Sequence, residues 1–373
     1  MNRMPVLKNT ASDPIAGHQD APVRMDRMPV LKSTASDFRV SEAMAVAVSD
    51  PGPGTHHYVL LHKAGYTTFE AADAVAEFFG TSPADVRYAG LKDEDGVTDQ
   101  FLAVAGELDA SRIEEFNRTH GIQDEPDGPW MRLRHYGHSV DPLGPGELDG
   151  NSFRIVVRGI DADQAAQLRA IRVRTFFFVN YYDTQRFGVP NGPKQTHLIG
   201  QALLDGDHRR AFDLLRSSRS PEARLCADFT GTPEDFFAAL DPRKVAFYLC
   251  AQGSDEWNAQ VRALVRESAA GAAIEVERDG IPYVFSRRSD TALEVLRRGE
   301  GLRCRSYRWC DGTMVAEMSA RPLVVQVRVR VSDVRVDETV PGTWRCTLAF
   351  FLPSGCYGTS AVTQFFVTLP ELL

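Results

Sequence analysis

The sequence predicts an α+β protein in which a mixed or antiparallel sheet with flanking helices is interrupted by a smaller, helix-rich insertion. Three observations lead there. Strand-like runs sit towards both ends of the 373-residue chain, from Tyr58-Val-Leu-Leu-His62 near the start to Leu323–Val331 and Thr343–Leu352 near the end. Helical patterns fill the middle, around residues 196–217 and 241–268. The composition, 43% hydrophobic and 25% charged, is that of a globular chain long enough for one large domain or two moderate ones.

The chain opens on a near-duplicate. Arg3-Met-Pro-Val-Leu-Lys-Asn-Thr-Ala-Ser-Asp13 recurs as Arg27-Met-Pro-Val-Leu-Lys-Ser-Thr-Ala-Ser-Asp37. Only the second copy runs on into a strand-like Phe38-Arg-Val40, so the fold is expected to begin near Met28, with residues 1–27 a loose extension. After the Tyr58 strand, Phe69–Phe79 is an amphipathic helix closed by Gly80. Ser82-Pro83 opens a short second helix. Phe101–Ala105 and Phe153–Arg158 read as strands, and Asp161–Arg172 as a helix.

Composition narrows the function. No run approaches the roughly 18 apolar residues of a membrane helix, and the first residues lack a signal-peptide layout, so a cytoplasmic protein is expected. The six cysteines form no C-x-x-C pair and the nine histidines no H-E-x-x-H, so no metal site is expected, and His56, His57 and His62 read as strand or surface residues. No Gly-rich phosphate loop or G-x-S-x-G elbow occurs. Net charge is −8, which argues against nonspecific nucleic-acid binding, yet Arg287–Arg308 holds seven arginines against three acids.

Four separated segments carry a specific pattern. They are Tyr88-Ala-Gly-Leu-Lys-Asp-Glu-Asp-Gly-Val-Thr-Asp-Gln100, Gly150-Asn-Ser-Phe-Arg-Ile155, Asn180-Tyr-Tyr-Asp-Thr-Gln-Arg-Phe-Gly188 running on to Thr196–Asp207, and Leu352-Pro-Ser-Gly-Cys-Tyr-Gly-Thr-Ser360. In order and content they resemble the TruD family of pseudouridine synthases over about residues 28–368. The resemblance implies a catalytic domain over 28–189 and 319–373, with a TRUD-type insertion over 190–318. It implies isomerisation of uridine to pseudouridine through a catalytic aspartate, Asp93, with Lys32 as its cationic partner. Tyr357 takes the family position of the aromatic that holds the detached uracil, and Asn151 and Phe153 match residues that hold the target nucleotide. Lys92, Gln100, Asn180 and Arg186 are further substrate-binding candidates, although Arg186 suits a scaffold ion pair equally well and Asn180 a cap.

The chemistry agrees with the residue types. Breaking the C1′–N1 glycosidic bond builds cationic or glycal character on the sugar, which one ionised carboxylate can meet as nucleophile or as electrostatic stabiliser and base. No metal or organic cofactor is required. The departures from the family bear on substrate. Glu94-Asp95 follows Asp93 where a basic residue is usual, Ser139–Asp149 carries no Lys or Arg, and Asp183 replaces a glycine. Three readings result: a synthase acting on RNA, tRNA foremost; a synthase acting on a free uridine nucleotide for C-nucleoside formation; or a noncatalytic RNA-binding descendant.

Overall fold

The computed structural model describes residues 23–24, 29–45, 49–50, 52, 55–106, 108–121, 128–144 and 147–369. Within the stretch read as a loose extension, β1 (Val23–Arg24) pairs in parallel with Ile274 and Glu275; the first copy of the duplicate lies outside the described residues. The second copy enters the fold. Val30 bridges Arg158, and the Arg158 guanidinium grips both oxygens of the buried Asp37 at 2.9 Å and Asp337 at 2.8 Å.

The elements follow in order. β2 (Phe38–Ala43) alternates buried and half-buried residues, as period-2 patterning requires, and β3 (His56–Ala64) does so from Val59 to Lys63. α1 (Thr68–Phe79) starts at a Thr67–Glu70 capping box and stops at Gly80, whose φ of 71° places it in the left-handed region. The Ser82-Pro83 start yields one 3-10 turn and then β4 (Val86–Tyr88). Next come β5 (Val97–Ala105), α2 (Ala110–His120), β6 (Trp130–Ser139), β7 (Gly150–Ile160), α3 (Ala162–Ala170, capped by Asp161) and β8 (Val173–Val179).

The middle is helical: α4 (Thr196–Leu204), α5 (His208–Ser217), α6 (Pro221–Ala227), α7 (Pro233–Ala239) and the 27-residue α8 (Pro242–Ser268). It also holds β9 (Ala273–Arg278), β10 (Ile281–Ser286), α9 (Thr291–Arg298), β11 (Cys304–Cys310) and β12 (Thr313–Ser319). β13 (Val324–Val336), β14 (Trp344–Pro353) and α10 (Gly358–Val367) complete the chain.

One nine-stranded sheet organises the fold, in the order β6-β3-β5-β2-β7-β14-β13-β8, with β4 added on β5. β2 and β5 run parallel and the other pairs antiparallel, so the sheet is mixed and the α+β class holds. Two apolar layers pack on it. Val59, Leu61, Leu102 and Met131 meet α1 and α2, while Ile155, Val327 and Leu348 meet Leu168 of α3 and Phe365 of α10. A third core joins Trp257 and Val261 of α8 to Tyr181, Tyr283 and Phe285, and so locks the segment after β8 against the helical part.

Candidate active site

The middle of the sheet is where the motifs meet. The loop between β4 and β5 carries Asp93. Its shape is fixed by groups that the sequence supplies locally: Gln100 donates to the Gly90 carbonyl and accepts from Thr68, whose hydroxyl in turn accepts from the Lys92 amide. Lys92 binds the buried Glu42 at 2.6 Å, and Glu42 also accepts from the Phe101 amide at 2.7 Å. Lys92 and Gln100 thus point into the scaffold under the loop.

Asp93 itself stays reachable, with its side chain 14% exposed. The Lys32 ammonium reaches its carboxylate at 2.8 Å and that of Asp95 at 2.7 Å. Burial works against the Lys32 charge, but the two carboxylates outweigh it and hold the ammonium above its ordinary pKa. The same ammonium lies 4.3 Å from the centre of the Phe38 ring. Phe38 meets Phe153 edge-on, Phe153 stacks on Phe350, and a Cβ at Gly358 would come within 2.8 Å of Phe153. Aromatic contacts therefore connect the Lys32 side of the site to the start of α10.

Tyr357 stands at that start. Burial raises its phenol above the ordinary value, and the charges of Arg186, Arg321, Asp183 and Asp93 all act on it. Tyr182 meets Tyr357 edge-on at 5.9 Å, and the Arg321 guanidinium lies 3.8 Å from the Tyr182 ring centre and 5.7 Å from that of Tyr357. Arg186 donates to Ser254 at 3.2 Å and faces the Tyr182 and Phe247 rings. Asn180 is fully buried: its side-chain nitrogen donates to the Pro322 and Gly355 carbonyls, and its backbone carbonyl accepts from Trp257. It ties β8, α8 and the turn before Tyr357 together. Asn151, half-buried on β7, presents a side-chain oxygen with no partner among the described residues.

Of the nine residues singled out in the sequence, Lys32 and Asp93 pair directly, while Arg186 and Tyr357 both face Tyr182. Phe153 packs against Phe38, and Lys92, Gln100 and Asn180 bind scaffold groups. The family profile described as tRNA pseudouridine synthase D (TruD) matches residues 27–228. This chain belongs to the TruD family. The Geobacter metallireducens tRNA pseudouridine synthase D is 35% identical, over 84% of this chain and 89% of its own. The human Pseudouridylate synthase 7 homolog is 28% identical over 54% of this chain, which spans only 29% of that longer protein. A solved structure assigned to tRNA pseudouridine synthase D (TruD) in Methanosarcina mazei aligns over 95% of this chain and 96% of its own, with TM-score 0.52 at 18% identity, a likeness of fold.

Three groups around this candidate site escaped the sequence reading. Lys63 is fully buried and donates to the Asp93 backbone carbonyl at 3.1 Å and to that of Tyr66 at 2.8 Å; burial pulls its pKa down to about 8. It shares strand parity with Val59 and Leu61, and that alternation was the available signal. Arg321 follows no local pattern. Arg278 of β9 lies 3.0 Å from Asp183, whose other oxygen accepts from Thr359 at 2.7 Å. The glycine-to-aspartate departure at position 183 therefore supplies a buried anion that pairs with a cation from the helical part.

Proposed function

We propose that this chain isomerises uridine to pseudouridine, with Asp93 as the reacting carboxylate and RNA, tRNA foremost, as the carrier of the uridine. The observation that carries the reading is the Lys32–Asp93 pair at 2.8 Å, with the carboxylate side chain 14% exposed and its charge felt by the Tyr357 phenol. A carboxylate facing an ammonium suits either role at C1′, nucleophilic or charge-stabilising. The C1′–N1 bond breaks and its electrons remain on the uracil. The ring turns, C5 bonds to C1′, and the proton lost from C5 is balanced by one gained at N1. Tyr357 offers a flat wall during the turn. Support for tRNA comes from the relatives named tRNA pseudouridine synthase D.

A second reading, a free uridine nucleotide as substrate, is favoured by the charges at the rim. Asp95 shares Lys32 with Asp93, Glu94 lies beside them, and Arg297 and Arg298 are both tied to Glu294. These contacts reduce the positive field that an RNA backbone needs. Incubating the protein with total tRNA and, separately, with uridine monophosphate tests both. Pseudouridine formed in tRNA supports the first reading, product only from the mononucleotide supports the second, and no product from either overturns the proposed activity.

A further inference from the structure

A cluster of histidines lies at the opposite end of β3 from the Asp93 loop. His57 of β3 stands directly across from His138 of β6, the outermost strand of the sheet, so their rings share a face. Simple alternation along β6 would send His135 to the other face. The register slips at this point instead: Tyr58 pairs with Gly137 but Val59 pairs with His135, leaving Tyr136 as an extra residue. The bulge turns Tyr136 onto the Phe101 ring and brings His135 to the side of His57 and His138. Ring centres are 4.5 Å apart for His57 and His138, 4.9 Å for His135 and His138, and 5.7 Å for His57 and His135.

We propose that His57, His135 and His138 form a binding site for one divalent transition-metal ion of the zinc or nickel class. One ring nitrogen from each residue lies within 4.8 Å of the others. Nitrogens sharing a tetrahedral metal at about 2.1 Å stand roughly 3.4 Å apart, so a ring rotation of about an ångström closes the set. His57 Nδ1 is buried with no hydrogen-bond partner among the described residues, an unmet polar atom that a metal would satisfy. Burial, followed by the charge of His138, holds the His57 and His135 rings below their ordinary pKa, which favours the neutral, lone-pair-bearing imidazole at neutral pH. Three imidazoles without a carboxylate select against Mg²⁺ and Ca²⁺ and favour Ni²⁺, Cu²⁺ or Zn²⁺. His57 and Lys63 are six residues apart on one strand, about 20 Å, so the ion would not touch the Asp93 chemistry. It would instead pin the edge strand β6 to β3.

The test uses tag-free protein, stripped with chelator and titrated with NiCl₂ by calorimetry, with MgCl₂ as a control. One equivalent of Ni²⁺ is expected to bind and to raise the melting temperature by about 4 °C at a free concentration a hundred times Kd. His135→Gln and His138→Gln, folded by circular dichroism and unchanged in isomerase activity, should each weaken binding by about tenfold or more. Alkylating the cysteines should change nothing. Absence of binding overturns the proposal, as does binding that survives both substitutions or disappears on alkylation.

Discussion

Lys32 and Asp93 are 61 residues apart in sequence and 2.8 Å apart in space. Lys32 takes a left-handed backbone (φ 57°) immediately after the Val30–Arg158 bridge, and its ammonium meets the carboxylate carried by the loop before β5. The nine-stranded sheet holds both ends of that contact, because β2, which follows Lys32, pairs with β5, which follows Asp93.

If Asp93 reacts at C1′, Asp93→Asn removes the charge with almost no change in volume. Pseudouridine formation should fall by about four orders of magnitude or more. Lys32→Gln keeps the carboxylate but removes its cation and should cost about a hundredfold. Both variants should melt close to wild type. Turnover by folded Asp93→Asn within tenfold of wild type, measured by nucleoside chromatography, would exclude the assignment.

Lys63 predicts a specific pH dependence of stability. Its pKa is lowered to about 8 in the fold against roughly 10.5 when unfolded, so between those values the unfolded chain binds more protons. Folding is therefore penalised at pH 7, and the penalty is relieved as pH rises through about 8 to 10. Lys63→Met should lack that relief, so wild type gains stability relative to the variant across the window, by up to about 3 kcal/mol. Denaturant melts of both proteins at pH 7, 8.5 and 10 read the difference; a constant gap would contradict it.

The two copies of the duplicated segment should respond differently to the same change. Asp37 neutralises Arg158 inside the fold, so Asp37→Asn leaves a buried guanidinium undercompensated and should cost about 3–5 kcal/mol. Asp13→Asn, the equivalent change in the first copy, should leave the melting temperature within a degree or so, because Asp37 already occupies the Arg158 partner site. Equal losses in the two variants would mean that the first copy also packs on the core.

The elements that could be read from sequence are those with local signals. α1 has its cap, its period and its terminal glycine in one stretch, and β3, β13 and β14 have β-rich runs. β6 escaped because Trp130–Ser139 is rich in arginine and histidine and its bulge breaks the period. The hairpins β9–β10 and β11–β12 also escaped, although each turns on an Asp-Gly pair, Asp279-Gly280 and Asp311-Gly312, with positive φ at both residues. That pair is the strongest short-range hairpin signal a sequence carries. In the site, Asp93 and Tyr357 announce themselves through motif context. Arg321 and Arg278 do not, because what places them is the packing of distant strands and helices.

The arginines near α9 separate the two substrate readings. Arg297 and Arg298 are bound to Glu294, whereas Arg287 and Arg303 are exposed and have no carboxylate partner among the described residues. Arg297, Arg303 and Arg321 line the same open groove of about 560 Å³, and the Arg321 guanidinium lies 5.7 Å from the centre of the Tyr357 ring. If RNA lies across this arginine-rich face, each phosphate neutralised by a free arginine releases condensed counterions, and binding falls steeply with salt. Replacing Arg287 and Arg303 together with alanine should then flatten the salt slope by about one unit per lost contact. The Arg297/Arg298 double variant should change it less, since Glu294 already screens both cations. For a free nucleotide, neither pair matters and the rate responds weakly to salt. The measurement is the initial rate of wild type and both double variants across a salt series, on tRNA and on uridine monophosphate. Turnover of tRNA that is insensitive to salt and to all four arginines would remove this arginine-rich face from the RNA path.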